Sequence, residues 1–433
     1  MFKEYIKLAL RKLGFVVHRA DGVLCEKLGN LCTTIRSEPD MKKDVDFASA
    51  YMRQILDIPS PSNDFIQEAK DKYVRHKEDP KIIAYYLTQF HPNPENDEWW
   101  GRGVTEWNNV CRAVPQFLGH YQPRLPGELG YYDLRLKENM LRQAELAKNY
   151  GIYGFSFYYY WFNGKRLLRG PLDMFMENPD IDIKFNLCWA NENWTRAFDG
   201  HSSEILMEQP SDVDSYRNVA ASWAPYMKDR RYIRCNGKPV ITIYRPSLIP
   251  CMRETIAYWR HSLIDLGVGD IYAIGCVENG VHIDLLKNGF DACTEFHPGT
   301  VYHTLSKIND RMAFARNDFV GEVFDYMDIV EKKRYFEYSY PKCYRAVMPM
   351  WDNTARRNNK GMIFTNASPA LYSQWLRDVI EERRHLSDTE ESYLFINAWN
   401  EWGEGAYMEP DKRYGYAYLD ATRRTIEAAR GGK

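Results

Sequence analysis

A chain of 433 residues with 57 Lys and Arg against 59 Asp and Glu, net charge −2, carries no broad cationic field for nucleic acid or an anionic membrane, so no nucleic-acid partner is expected. Its length fits one large barrel of about 250 residues with generous loops and an added N-terminal piece. Nine cysteines without C-x-x-C spacing read as buried thiols of a reducing compartment, and indicate neither a disulfide framework nor a structural zinc site.

Residues 1–80 are charged and mostly helical in pattern, broken at Pro59-Ser60-Pro61-Ser62, and read as a helical N-terminal extension. Its first helix, Phe2 to Val17, is amphipathic and basic; packing on the barrel is its expected use, with weak membrane-surface association as the alternative. Lys3, Glu4, Lys7, Arg11 and Lys12 interrupt any secretory apolar core, and no stretch reaches the roughly 20 apolar residues of a membrane span. The chain is therefore expected to be cytoplasmic and soluble.

From Lys81 the texture changes. Short apolar runs predict strands at Ile82 to Leu87, Tyr153 to Tyr159, Ile183 to Trp189, Val240 to Tyr244, Ile271 to Val277, Ala292 to Phe296, Ala346 to Met350 and Leu394 to Ala398. Helical periodicity predicts Leu134 to Asn149, Asp212 to Lys228, Met252 to Leu266, Pro369 to Arg384 and Ala421 to Ala429 between or after them. Eight strands alternating with helices argue for an α/β chain whose residues 81–433 form a (β/α)8 TIM barrel, in preference to an open doubly wound sheet.

In such a barrel, functional residues gather where strands end. The first strand carries Tyr85 and leads to His91, then to a loop holding Trp99, Trp100, Glu106 and Trp107; the second brings Tyr158 and Trp161. The third ends in Trp189, Asn191, Glu192 and Trp194, the fifth in Glu278, the sixth in Glu295 and His297, and the seventh in Trp351 and Asp352. Aromatic rings with polar edges suit sugar faces, and they also fill cores; the chain has 12 Trp and 31 Tyr to divide between those uses. Glu192 reads as a hydroxyl ligand or third carboxylate, with a local loop hydrogen bond as the alternative. Glu106, His91, Glu278, Glu295, His297 and Asp352 read equally as substrate contacts or as rim hydrogen bonds.

The eighth strand runs into Asn400-Glu401-Trp402-Gly403-Glu404-Gly405, two glutamates three residues apart among glycines and tryptophans. A carboxylate pair can divide the work on a glycosidic bond, one giving a proton to the leaving oxygen while the other serves as base or nucleophile. Gly403 and Gly405 are expected to permit the tight turn that brings both side chains to one pocket. The bland alternative is a helix N-terminus that merely favours acids.

Taken together, Ala84-Tyr85-Tyr86-Leu87-Thr88-Gln89-Phe90-His91-Pro92, the Trp99-Trp100-Gly101 and Thr105-Glu106-Trp107 loop, Trp189-Ala190-Asn191-Glu192-Asn193-Trp194 and Asn400-Glu401-Trp402-Gly403-Glu404-Gly405 resemble the WbsX family from about residue 81 to about 420. That family is associated with bacterial surface-polysaccharide biosynthesis, of O-antigen and capsule, and is commonly labelled glycosyltransferase. It resembles in turn glycoside hydrolase family 99, the endo-α-1,2-mannosidases and mannanases. The resemblance implies that Glu401 deprotonates a sugar 2-hydroxyl, which attacks its own anomeric carbon to give a 1,2-anhydro sugar, while Glu404 is the general acid and then base. Gly403 stands where the hydrolases commonly have histidine, so the subsite there is expected to differ. The implied partner is an oligosaccharide or lipid-linked glycan, and neither metal nor organic cofactor is expected.

A nucleotide-sugar glycosyltransferase is the competing reading. Its Asp-x-Asp candidates, Asp44/Asp46, Asp180/Asp182 and Asp212/Asp214, lie in helical or pre-strand positions that fit capping, and the Gly267/Gly269 pair precedes a strand where a dinucleotide fold needs it to follow one. A non-catalytic glycan-binding barrel is the third reading, and retention of both glutamates argues against it.

Overall fold

The computed structural model describes residues 38–196, 201–281, 283–337, 340–384 and 393–430. The expected helix from Phe2 to Val17 lies outside them. The chain divides into two compact units, residues 1–53 and 54–433, the boundary falling inside the helix Glu38–Asp57. The second unit thus begins before residue 81. Residues 58–80 lie on the barrel: Ile66 bridges Gly415, and buried Asp79 receives Arg430 Nε at 2.7 Å and Nη2 at 2.6 Å.

Eight parallel strands make the barrel: β1 (Lys81–Tyr86), β2 (Ile152–Phe162), β3 (Lys184–Trp189), β4 (Lys238–Ile243), β5 (Tyr272–Cys276), β6 (Ala292–Thr294), β7 in two pieces (Cys343–Tyr344 and Ala346–Val347) and β8 (Tyr393–Ile396). Each pairs with its successor, and β8 returns to β1 with Ile83 opposite Phe395. Closure runs through the two pieces of β7: the first pairs with β6, Cys293 opposite Cys343, and the second with β8, Ala346 opposite Phe395. At the break, Arg345 donates through Nη1 to the buried Glu295 at 2.6 Å and through Nη2 to Glu382 at 2.6 Å.

The strands are continuous apolar runs because both faces are covered, one by helices and the other by the barrel interior. All four residues of β8 are fully buried. The interior is aromatic: the Tyr85 ring stacks on Tyr158 at 5.8 Å and Phe395 at 5.6 Å and tilts against Phe296 at 4.9 Å. The outer layer is α1 (Lys137–Asn149), α2 (Gly170–Glu177), α3 (Val213–Met227), α4 (Met252–Asp265), α5 (Tyr326–Glu331), α6 (Pro369–Arg384) and α7 (Ala417–Arg430), and among the described residues no helix lies between β5 and β6. Asp212 caps α3 by accepting from the Ser215 amide at 2.8 Å, which occupies that Asp-x-Asp acid in a local role. Asp180 and Asp182, before β3, pair with Lys137 and Lys148.

Candidate active site

The face carrying the C-terminal ends of the strands gathers four charged side chains onto one another. Glu401 and Glu404 follow β8, Glu106 opens the short helix Glu106–Arg112 in the β1 loop, and Arg356 lies in the short helix Thr354–Arg357 after β7. Arg356 donates through Nε to Glu106 Oε1 at 2.8 Å, through Nη1 to Glu404 Oε1 at 2.7 Å and through Nη2 to Glu401 Oε2 at 2.7 Å. One planar guanidinium thus engages three carboxylates, and the two glutamates of the E-x-x-E motif sit on its neighbouring terminal nitrogens. Such short, charge-assisted bonds fix direction as well as distance.

Backbone geometry explains the motif in part. Gly405 has φ +60°, the left-handed conformation that ends the turn from Trp402 to Glu404, whereas Gly403 has no positive φ. Gly403 is there for space: a Cβ on it would meet Glu106 Oε1 at 1.7 Å and Arg356 Nε at 2.9 Å. The expectation that both glycines serve the turn holds for Gly405 alone. Trp402 is fully buried, stacked on Tyr407 with centroids 3.7 Å apart, and its indole donates to Glu409 at 2.6 Å. Glu409 also receives Gln143 Nε2 at 2.6 Å and the Tyr132 hydroxyl at 2.9 Å, and burial among these neutral donors raises its pKa to about 7. The middle of the motif is therefore anchored from behind.

Three acids around one cation leave negative charge in excess in a low-dielectric place, which favours proton uptake. Burial first, then the neighbouring Glu404 and Glu106 charges, outweigh Arg356 and push Glu401 up to about 8. Burial also raises Glu404. The Glu401 side chain is 6% exposed and that of Glu404 24%. Burial alone would weaken the Arg356 proton, but the three carboxylates hold it well above the usual arginine range. Glu401 and Glu404 titrate as a unit.

Glu404 and Arg356 open onto a cleft of about 730 Å³, within the span of small-molecule sites. Its opposite wall comes from the β3 and β4 ends: Glu192, Asn193, Thr195 and Gln209, with Arg245 beyond them. A hairpin of Trp194–Arg196 and His201–Met207 stands beside it. Asn191, fully buried, grips the Arg245 backbone, accepting from its amide and donating to its carbonyl at 2.8 Å each. Arg245 Nε reaches Glu192 at 3.3 Å, and Ser247 donates through its amide and hydroxyl to Glu278 at 2.9 and 2.8 Å.

Of the other candidates, Trp99 lies 6.4 Å from Trp194, joined to Trp100 edge-on, in a small apolar cluster beside the hairpin. Tyr158 and Trp161 are nearly buried at the β2 end, and Tyr85 and Trp189 are fully buried in the core. Trp107 packs on Trp402 and donates to the Tyr132 carbonyl at 2.8 Å, while Trp351 is buried near the β7 end. His91 bonds the Thr88 carbonyl at 2.8 Å within its own turn. Asn400 ties β8 to β1, accepting from the Leu87 amide at 2.7 Å and donating to its carbonyl at 3.0 Å. Glu295 receives Arg345 and the Ala346 amide, and His297 bonds the Ala346 carbonyl at 3.0 Å. Asp352, with no exposure, is held by His120 at 2.6 Å, Gln122 at 2.7 Å and the Thr354 amide and hydroxyl at 3.0 and 2.6 Å. These bonds commit Asn400, Glu295, His297 and Asp352 to the frame.

Arg356 escaped the sequence analysis. The only signal was a basic pair, Arg356-Arg357, shortly after a strand end. Among the described residues, no group of three or more His, Cys, Asp and Glu has the arrangement to hold a metal ion, and no helix is long and apolar enough to cross a membrane.

Fold and site together define the class: a closed (β/α)8 barrel with an arginine-bridged glutamate pair on its C-terminal face. The chain belongs to the family described as "Glycosyltransferase WbsX", which matches residues 82–422. It is 43% identical over 351 residues to the proteins named WxcX of two strains of Xanthomonas campestris pv. campestris, covering 80% of this chain and 50% of theirs, so it spans about half the length of these curated relatives. Among solved structures it is similar to a "Glycoside hydrolase-like protein" (TM-score 0.54, 16% identity, 84% of this chain and 98% of that one). It is also similar to the GH99 endo-alpha-mannosidase from Bacteroides thetaiotaomicron (TM-score 0.50, 14% identity, 81% and 98%). At these identities the likeness is one of fold.

Proposed function

We propose that the chain is a carbohydrate-active enzyme working on a glycosidic bond of bacterial surface polysaccharide, of O-antigen or capsule type, as a hydrolase or transglycosylase. The observation that carries this reading is the pairing of Glu401 and Glu404 on adjacent nitrogens of Arg356, with Glu404 and Arg356 lining an open cleft and Glu401 buried behind them. The family and the barrel likeness support a glycan-active enzyme.

In the proposed first step, the Glu401 carboxylate takes the proton of the sugar 2-hydroxyl as that oxygen bonds to the anomeric carbon. The bond from that carbon to the leaving oxygen breaks, and Glu404 gives the leaving oxygen its proton. In the second step Glu404 takes a proton from water or an acceptor hydroxyl, whose oxygen bonds to the anomeric carbon. The 1,2-anhydro ring opens, and Glu401 returns its proton to O2. Raised pKa values suit a pair that must hold one proton near neutral pH. The step requires that proton on Glu404, with Glu401 ionised, when substrate arrives.

The competing reading is a nucleotide-sugar transferase, favoured by the family's description. Both are tested by mass spectrometry of wild type and Glu404→Gln incubated with α-linked manno-oligosaccharides and lipid-linked glycan precursors, with and without nucleotide sugars. Glutamate-dependent cleavage or re-ligation without nucleotide is the expected outcome. Turnover only in the presence of a nucleotide sugar selects the transferase, and binding without turnover in any mixture selects a non-catalytic barrel.

A further inference from the structure

We infer that Glu106, Arg356 and Gly403 are one positioning unit: Arg356 clamps the two glutamates, and Glu106, seated in the space that a side chain at 403 would fill, keeps the clamp in register. The inference rests on the reading of Glu401 and Glu404 as the working pair.

Three observations carry it. Glu106 is fully buried, and its Oε1 receives Arg356 Nε while its Oε2, also buried, has no hydrogen-bond partner. An acid needed only for packing has no reason to sit there, because replacing it with an apolar side chain would remove the desolvation cost. Second, the guanidinium is planar, so holding Nε fixes where both terminal nitrogens point. Arg356 on a flexible stem with only Glu401 and Glu404 as partners could swing; bonded on a third side it cannot. Third, Gly403 has a backbone that alanine adopts, yet a Cβ there falls 1.7 Å from Glu106 Oε1. The atoms in its way, Glu106 Oε1 and Cδ and Arg356 Nε, all belong to side chains, so the methyl group displaces the ion pair and not the backbone. A side chain at 403 and the Glu106–Arg356 bond exclude one another.

The unit also sets ionisation. The groups facing the pair are Tyr158 and Tyr160 from β2, Tyr244 and Glu192 from the opposite wall, and Arg356 with Arg357 after β7. Glu106 is the third acid competing for Arg356. With it neutralised, the guanidinium charge serves Glu401 and Glu404 alone, and both release their protons more easily.

The test uses the full chain as Glu106→Gln, Gly403→Ala, Glu106→Ala and the double variant Gly403→Ala/Glu106→Ala. Two readouts run in parallel: the pH dependence of thermal unfolding without substrate, and the pH–rate profile with whichever glycan wild type turns over. Glu106→Gln is expected to lower both limbs of the rate profile by roughly one pH unit with KM unchanged, and to lose less of its Tm than wild type between pH 5 and pH 8.5. Gly403→Ala is expected to fold and to lose roughly 100-fold in turnover from displacement of the clamp. The double variant is expected to recover the Tm lost by Gly403→Ala, because the methyl group then has room. Coincident profiles and Tm slopes for Glu106→Gln and wild type, or a double variant no more stable than Gly403→Ala, would overturn the inference. If wild type turns over no glycan, the proposed function fails, and the substrate-free Tm arms still decide this inference.

Discussion

Two buried acid clusters hang on the same loop after β7, and they behave oppositely. Asp352 sits at its start, with His120, Arg124, Gln122 and Thr354 around one carboxylate; burial would raise its pKa, but the His120 and Arg124 charges hold it well below the usual aspartate range. Four residues later Arg356 faces three carboxylates, and Glu401 is pushed up to about 8. Both sites are enclosed, so burial does not separate them. The ratio of cations and donors to carboxylates does: where it exceeds one the acid is locked ionised and becomes part of the frame, and where it falls below one a proton is left available for chemistry.

The largest effect expected from this comparison is on turnover. Glu404→Gln should lower it by roughly 10²–10⁴-fold while the melting temperature at pH 7 changes little; a comparable loss of Tm would mean that Glu404 belongs with the frame. Next comes Asp352→Ala, which strips a buried pair of its acid and should cost about 3–5 kcal/mol at pH 7 by denaturant unfolding. Asp352 is depressed in the folded state, so its contribution is present above the ordinary value of 3.8 and is lost as pH falls below it. The gap between variant and wild type should therefore narrow in acid, and a gap that stays constant with pH would show that packing, not charge, is at stake.

Glu401 has the reverse sign. Its folded pKa lies above 4.5, so its neutral form costs nothing extra below that pH, and wild type should lose stability as pH rises from 4.5 to about 8. Glu401→Gln removes the Glu401 share of that dependence, and its advantage should grow with pH by at most roughly 1.4 kcal/mol per unit across that window. Parallel stability curves would place the proton elsewhere in the cluster. Smallest of all, Arg245→Gln breaks partly exposed ion pairs with Glu192 and Glu278 and a stacking contact on Tyr244, and should change stability by about 1 kcal/mol. Its expected signature is a changed KM with kcat kept, read from initial rates on the glycan that wild type accepts.

Much of the barrel was legible because each strand is a short apolar run between polar loops, and burial on both faces imposes that texture. The seventh strand was legible as one run from Ala346, but its break at Arg345 was not, since a charged residue in a seam gains its meaning from Glu295 and Glu382 across the fold. The hairpin from Trp194 to Met207 was missed although the sequence holds an Asp199-Gly200 turn signal, because the flanking segments mix polar and aromatic residues and do not read as apolar runs. The glutamate pair could be read because its spacing is local. Arg356 could not: it lies 45 residues from Glu401 and 250 from Glu106, and only closure of the barrel brings the three together. Glu106, in the loop after the first strand, and Asp352, at the end of the seventh, both read equally as substrate contacts or rim hydrogen bonds, and the sequence holds nothing that divides them, because the division depends on which cations arrive from elsewhere.

The Asp352 amide donates to the Glu404 carbonyl at 2.7 Å, joining the loops after β7 and β8. The half of the cleft that carries Asp352, Arg356 and Glu404 is thereby an anvil, tied into one block against which, on the proposed function, a glycan would be pressed. The facing half, with Glu192, Arg245 and the hairpin, is mounted on β3 and β4. If the proposed function holds, redesign for a different sugar accordingly belongs on that facing half, where residues can be exchanged one by one while the anvil keeps its shape.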